Sequence, residues 1–220
     1  MRPNRSAELA AEAIGTFFLV FFGTGAIIVD QTTGGRVTSV GVSLVFGLIV
    51  LAMVYAIGHV SGAHMNPAVT AGFVAAGRMP AREMPLYLAA QLAGAVMASL
   101  SLRLIFLGAS TNLGMTVPAG SSLQSFALEF VMTFLLMFVI MAVATDERAE
   151  SALAGVAIGA VIALEALVGG PISGASMNPA RSFAPALVSW RFDSQWIYWA
   201  APILGGVSGA LAYRRAVAAA

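Results

Sequence analysis

Six apolar stretches, each long enough to cross the ~30 Å hydrocarbon core of a bilayer as a helix, constrain this chain more than any other feature. Only 10% of the residues are charged, whereas a soluble domain carries about a quarter. A surface so poor in charge indicates contact with lipid. We therefore predict an all-α membrane protein with six transmembrane helices. The predicted spans lie at roughly 7–29, 37–58, 84–106, 123–144, 151–170 and 194–213.

Two further apolar stretches, near 64–77 and 176–189, are too short to span a bilayer. Each opens with Met-Asn-Pro-Ala. At membrane depth, irregular backbone next to a short helix is tolerated only inside protein or beside a water-filled cavity. These stretches therefore predict two re-entrant half-helices.

The chain also repeats itself. Ser-Gly-Ala-His-Met-Asn-Pro-Ala at 61–68 is matched by Ser-Gly-Ala-Ser-Met-Asn-Pro-Ala at 173–180, and Glu12 upstream is matched by Glu129. Each half holds three spans and one half-helix, and because three is odd, the second half must enter from the opposite side of the membrane. We expect a single channel domain over 1–220, made of inverted repeats 1–113 and 114–220.

The Asn-Pro pairs predict both a structure and a chemistry. Asn is a preferred N-cap and Pro is favoured at the first helical position, so a helix should begin at Pro67 and at Pro179. The oxygen of Asn66 or Asn178 can accept from its own first turn, which leaves the side-chain NH₂ group as a fixed donor. Inverted repeats bring both helix starts to the midplane, each with about half a positive charge. A cation is repelled there, whereas water can turn its oxygen toward both donors.

Two Asn-Pro-Ala triplets in inverted halves, with Arg181 directly after the second, resemble the aquaporin or major intrinsic protein family over essentially the whole chain. The resemblance implies a passive channel that excludes ions and protons and needs no cofactor and no metal. It also implies a homotetramer with one pore in each subunit. Expected partners are small neutral solutes and the bilayer, and a net charge of +1 gives no sign of nucleic-acid binding. The triplets are Asn66-Pro67-Ala68 and Asn178-Pro179-Ala180.

The residues just before each triplet should be extended, and the resemblance implies that their carbonyls form a ladder along the pore wall. Glu12 and Glu129 are ionisable residues inside spans, which need partners. In the resembled family, matching glutamates brace the re-entrant loops by accepting from backbone N–H groups. Proton carriage is the alternative, and the symmetric repetition favours bracing. The implied pore-lining residues are Gly62, Ala63, His64, Gly174 and Ser176.

The resemblance places a selectivity filter at Phe46, Ala166, Ala175 and Arg181. Arg181 supplies a permanent positive charge and several donors. Water-selective members usually have His at the fifth-span position and a small polar residue or Cys in the loop. Two alanines therefore predict a wider, more apolar opening. Typical glycerol facilitators have Trp in place of Phe46 and Asp in place of Ser182, so the chain departs from that pattern too.

The segments 58–64 and 170–182 are similar to the plant nodulin-like branch and its bacterial relatives. That branch implies passage of glycerol and of neutral metalloid hydroxides such as arsenous acid. One alternative is a water-selective aquaporin. Another, from a different class, is an inverted-repeat secondary transporter, although the midplane offers no obvious ion-coupling carboxylate. An enzyme is disfavoured because Cys is absent and neither His belongs to a His-x-x-x-His pair.

Glu165, next to a filter position, is not a general feature of the family. We expect it to reach a wet outer vestibule or to brace a loop. A register shifted by one residue would instead turn it toward the solute.

The arginines predict the orientation of the chain, because cytoplasmic loops carry an excess of basic residues. Seven of the eleven fall on the side of the termini, which predicts that both termini are cytoplasmic. We expect a multi-pass protein of the plasma membrane (the inner membrane in a bacterium). The seven are Arg2, Arg5, Arg78, Arg82, Arg148, Arg214 and Arg215.

Overall fold

The computed structural model describes residues 4–109, 111–146, 149 and 151–216, and these form eight α-helices. Six of the helices are long and two are short. In chain order they are α1 Arg5–Thr32, α2 Thr38–Ser61, α3 Pro67–Ala75, α4 Met84–Ile105, α5 Ser122–Thr145, α6 Ala154–Ser173, α7 Pro179–Ser189 and α8 Ile197–Ala216.

Five of the described helices are long and apolar enough to cross a membrane, namely α1, α2, α4 with its preceding 3₁₀ turn, α5 and α6. The sixth predicted span, α8, has 20 residues but is less apolar. The buried face of α8 contains Gly205, Gly206 and Gly209. Such small residues lower the hydropathy of the helix but let it pack closely against neighbouring helices. A Cβ at Gly205 or Gly209 would collide with backbone carbonyl oxygens of α5.

The packing of the helices repeats between the two halves of the chain. Helix α1 packs against α4 as α5 packs against α8, and α1 contacts α2 as α5 contacts α6. The short helices cross over, so that α3 packs against α8 and α7 against α4. Helices α2 and α6 contact each other between the halves. The predicted fold, six long helices and two half-helices in an inverted repeat, is confirmed.

Both half-helices begin where the sequence predicts. Pro67 is the first residue of α3 and Pro179 the first of α7, each directly after an Asn N-cap. The long helices before them, α2 and α6, are capped at their C-termini by Gly62 and Gly174, which share a φ of 86°. This left-handed conformation favours glycine. A glycine thus ends each long helix, and the chain turns inward to the half-helix.

Candidate functional site

A cavity of about 780 Å³ lies between the two halves. Residues of α1, α2, α4, α5 and α6, of both re-entrant segments and of the segment between α3 and α4 form its wall. Most of the predicted pore residues belong to this wall, namely Phe46, Gly62, Ala63, His64, Asn66, Ala175, Ser176, Asn178 and Arg181. The other predicted site residues lie outside it, namely Glu12, Pro67, Ala68, Glu129, Glu165, Ala166, Gly174, Pro179 and Ala180.

The two Asn side chains cap their own helices. The Oδ1 atom of Asn66 accepts from the backbone N–H of Ala68 at 2.8 Å. The Oδ1 atom of Asn178 accepts from Ala180 at 3.0 Å and from Arg181 at 3.3 Å. With its oxygen engaged, each amide presents its NH₂ group away from the helix.

Those NH₂ groups also link the two halves. Asn66 Nδ2 donates to the backbone carbonyl of Met177 at 2.7 Å, and Asn178 Nδ2 donates to that of Met65 at 2.8 Å. The N-terminal ends of α3 and α7 therefore meet inside the protein. This cross-link uses one N–H of each side-chain amide, so only the second N–H is free to reach the cavity. The sequence did not predict that one of the two N–H groups would be used in this way.

The backbone before each half-helix is not the simple extended strand that the sequence predicted. Ala63 and Met65 have φ of 49° and 50°, and Ala175 and Met177 have 40° and 51°. In an extended strand, successive residues point to opposite sides. Positive φ at alternate residues instead lets two successive N–H groups reach one carboxylate. A positive φ costs of order 1 kcal/mol in each residue other than glycine. The hydrogen bonds to the carboxylate must therefore stabilise this backbone conformation.

Glu12, fully buried in α1, accepts four hydrogen bonds at the first re-entrant segment. Its Oε1 atom accepts from the hydroxyl of Ser61 and the backbone N–H of His64, both at 2.8 Å. Its Oε2 atom accepts from the backbone N–H of Met65 at 2.7 Å and the amide of Gln91 at 2.8 Å. These donors replace the water that a buried carboxylate loses.

Glu129, buried in α5, makes the equivalent contacts at the second segment. Its Oε1 atom accepts from the hydroxyl of Ser173 at 2.7 Å and the backbone N–H of Ser176 at 2.8 Å. Its Oε2 atom accepts from the backbone N–H of Met177 at 2.7 Å. Among the described residues, no side-chain amide donates to it as Gln91 does to Glu12.

Two of the four predicted filter residues are in direct contact. The Arg181 Cζ atom lies 5.3 Å from the centroid of the Phe46 ring, within cation–π range. Ala175 belongs to the same cavity wall. Ala166 is buried in the apolar cluster that also contains Phe46 and Ala175, but it does not form part of the wall. Apart from Arg181, the filter positions thus carry no side-chain hydrogen-bonding group.

The orientation of Arg181 depends on a residue that the sequence did not single out. Its Nη1 atom donates to the carbonyl of Gly114 at 2.7 Å, while Nε and Nη2 have no partner among the described residues. Gly114 lies between α4 and α5 with φ of 69°, and a Cβ there would lie 2.7 Å from the Cβ of Thr24. A single glycine in a connecting segment carries no chemical signal, so only the fold could reveal this contact.

The same connecting segment fixes the second re-entrant turn through a chain of hydroxyls. Thr116, fully buried, donates to Ser182 at 2.7 Å, and Ser182 contacts Ser176 at 2.5 Å. The hydroxyl of Ser176 donates in turn to the carbonyl of Asn178 at 2.9 Å. Ser176 lines the cavity, but its hydroxyl is held by these contacts.

The prediction that Glu165 reaches a wet vestibule is wrong. The residue is 4% exposed, and both carboxyl oxygens are enclosed. The carboxyl group lies near the backbone of Leu136 on α5, yet neither oxygen makes a hydrogen bond to a described residue. It therefore braces no loop either. Glu165 thus lies on the side of α6 that faces α5. Successive residues of a helix point about 100° apart, so Ala166 faces a different direction.

An apolar helical bundle with two half-helices meeting head to head beside an internal cavity defines the class of protein as a multi-pass membrane channel. The family model of the major intrinsic proteins matches residues 2–213. Aquaporin NIP1-1 of Oryza sativa subsp. japonica is 52% identical over 206 residues, covering 94% of this chain and 72% of that protein. Nodulin-26 of Glycine max is 47% identical over 206 residues, covering 94% and 76%.

A solved structure, the aquaglyceroporin from Plasmodium falciparum, superposes with a TM-score of 0.86 at 25% identity and covers 97% of each chain. The chain belongs to the major intrinsic protein family. It is a membrane channel for water and small neutral solutes, and it is not an enzyme. The two sequence relatives are plant proteins, so they give no support to a bacterial membrane in particular.

Proposed function

We propose that water and small neutral solutes cross this protein passively, in single file, past the paired starts of α3 and α7. The observation that carries the proposal is the reciprocal bond between the halves, in which Asn66 and Asn178 each reach the loop of the other. The remaining N–H of each amide then faces the permeating molecule. A water molecule at this point accepts from both donors and turns its hydrogens outward.

Ions are excluded by the same geometry. Two helix N-termini, each equivalent to about half a positive charge, repel a cation. The Arg181 guanidinium, buried at the cavity wall, adds a full positive charge that also repels cations. A proton cannot hop through water whose hydrogens point away from the midplane on both sides.

The solute range extends to glycerol and to neutral metalloid hydroxides such as arsenous acid. Of the proposed filter positions that line the cavity, Phe46 and Ala175 are apolar, so the opening beside Arg181 offers no further side-chain hydrogen-bonding group there. The structural relative is an aquaglyceroporin, which supports the passage of glycerol. Glu12 and Glu129 brace the re-entrant loops, and the donor sets around them support that role over proton carriage.

Stopped-flow light scattering on proteoliposomes tests the proposal. We expect fast shrinkage in sucrose, which reports water, and re-swelling in glycerol or arsenous acid, which reports the wider filter. Shrinkage without re-swelling would indicate a water-selective channel. Solute uptake that saturates and follows an ion gradient would indicate a secondary transporter.

The arrangement in the membrane follows from the sequence. We infer that both termini are cytoplasmic at a plasma membrane, that the repeats are 1–113 and 114–220, and that four subunits assemble with one pore each. Protease accessibility of a terminal tag in sealed vesicles tests the orientation. Native mass spectrometry in mild detergent tests the tetramer.

A further inference from the structure

The hydroxyl of Thr70 connects the cavity wall to the buried interior. Its Oγ1 atom lies 3.0 Å from Gln91 Nε2, 3.1 Å from the carbonyl oxygen of Asn66 and 3.1 Å from Nδ1 of His64. Thr70 itself is fully buried, whereas His64 lines the cavity. Three partners thus surround one hydroxyl group, which can donate only once.

The hydrogens available on each partner assign these contacts. Gln91 also donates to the carboxylate of Glu12 at 2.8 Å, so its NH₂ group, and not its oxygen, faces Thr70. The carbonyl of Asn66 can only accept, and it also accepts from the backbone N–H of Thr70 at 3.0 Å. Its contact with Oγ1 is therefore a hydrogen bond only when the hydroxyl hydrogen of Thr70 points to it. One lone pair of Oγ1 then remains for His64. All three contacts are satisfied only when Nδ1 of His64 carries the proton.

The other ring nitrogen is the open one. Nε2 of His64 makes no hydrogen bond to a described residue and is not among the enclosed polar atoms. A Cβ at Gly62, which also lines the cavity, would lie 3.2 Å from it. The ring plane is held by stacking on Phe73, with centroids 4.5 Å apart, and by contact with Tyr87 at 5.1 Å.

We infer that Thr70 is a positioning residue that fixes His64 in the tautomer protonated on Nδ1, so that Nε2 is a bare acceptor in the lumen. Its effect on permeation rests on the proposed function. A water molecule whose oxygen faces Asn66 points its hydrogens toward His64. A bare Nε2 accepts from such a molecule, whereas an Nε2–H group would oppose its orientation.

The second repeat has the same pair at the equivalent positions but a different third member. Ser176 stands two residues before Asn178 and contacts Ser182, four residues after it, just as His64 contacts Thr70. There, Thr116 of the connecting segment takes the place of Gln91. The hydroxyl four residues after each Asn therefore orients the lumen residue two residues before it.

Histidine ¹⁵N chemical shifts in uniformly labelled channel in lipid test the tautomer directly, with a His59→Asn variant to assign the two rings. Thr70→Val removes the acceptor for Nδ1–H and leaves all four donors to Glu12 in place. Thr70→Ser keeps the hydroxyl. We expect a protonated Nδ1 and a bare Nε2 in the wild type and in Thr70→Ser, and a shift toward the Nε2–H tautomer in Thr70→Val.

Water flux should fall about fivefold in Thr70→Val relative to Thr70→Ser, the change that loss of one ordinary hydrogen bond produces. A wild-type ring protonated on Nε2, or a Thr70→Val ring with the wild-type shifts, would overturn the inference. So would equal water flux in the two variants. Absence of flux in the wild type would instead contradict the proposed function, and the ¹⁵N shifts would still decide the tautomer.

Discussion

Asn66 and Asn178, 112 positions apart in the chain, each donate a side-chain hydrogen bond to the carbonyl of the residue that precedes the other, at 2.7 and 2.8 Å. Each amide therefore caps its own helix through oxygen and holds the opposite half through nitrogen. The two half-helices cannot separate without breaking both bonds. The electropositive midplane is thus a property of the pair and of neither half alone.

Replacing Asn178 by Asp should separate capping from donation. Asp caps a helix about as well as Asn, so we expect the variant to fold. A carboxylate cannot donate to Met65, and its charge offsets the positive potential of the two helix ends. Proteoliposomes under a membrane potential should then leak Na⁺ and protons. Asn4→Asp is the matched control, because Asn4 caps α1 through Ser6 and does not line the cavity. Equal ion tightness of the two variants would contradict the barrier proposed here.

Gly114→Ala should displace Arg181 of the proposed filter, although Gly114 is not itself a filter residue. The added Cβ meets Thr24, and φ of 69° disfavours alanine, so the carbonyl that holds Arg181 must move. Glycerol flux should fall about tenfold, as for loss of one hydrogen bond to a charged group. Gly108→Ala is the control in the same segment, with φ of 82° but nothing within 4 Å of the new Cβ. A similar loss in both variants would assign the effect to backbone strain alone.

Glu129→Gln and Glu165→Gln make the same change at two buried carboxyl groups. Glu129 accepts three hydrogen bonds, and an amide at this site would set its NH₂ group against N–H donors. We expect the free energy of unfolding of Glu129→Gln to be about 1–3 kcal/mol lower than that of the wild type. Glu165 has no such partners, so its variant should match or exceed the wild type. Thermal unfolding in detergent measures both. The opposite order would show that Glu165 carries the stabilising contacts.

Glu165→Ala should leave the fluxes of glycerol and arsenous acid unchanged, because the carboxyl group lies outside the cavity wall. Initial rates of re-swelling in stopped flow measure both fluxes. Phe46→Ala is the positive control, because Phe46 lies in the cavity wall and its replacement should change both fluxes. A selective loss of flux in Glu165→Ala would mean that its side chain reaches the solute.

The wild-type channel should resist mercurial block, since the chain contains no Cys. Ala175→Cys introduces a thiol at the cavity wall, so mercury should block its water flux and a small thiol should restore it. Leu104→Cys is the control, because Leu104 is 67% exposed on the outer face of α4. Block of the wild type would contradict the expected resistance. Block of Leu104→Cys to the same extent as Ala175→Cys would contradict the placement of Ala175 in the lumen wall.

Much of the fold could be predicted because its determinants are local. Apolar length predicted the long helices, and the observed ends differ from the predicted ones by a few residues where polar caps extend an apolar centre, as in α1, Arg5–Thr32 against 7–29. Asn-Pro pairs predicted both half-helix starts. The odd number of spans in each repeat predicted the inversion.

What depends on contacts between distant segments could not be predicted. The alternating φ at Ala63 and Met65 arises because Glu12 draws two successive N–H groups to one side. The support of Arg181 by Gly114 and the enclosure of Glu165 depend on how connecting segments and helix faces meet.

The sequence by itself determined where the two half-helices begin, which stretches are long enough to span a bilayer and that the half-helices must meet head to head, because capping and hydrophobic length act over a few residues. Only the tertiary structure decided which donors remain free for a solute. That outcome depends on hydrogen bonds between residues up to 113 positions apart, such as the bond from Asn178 to Met65.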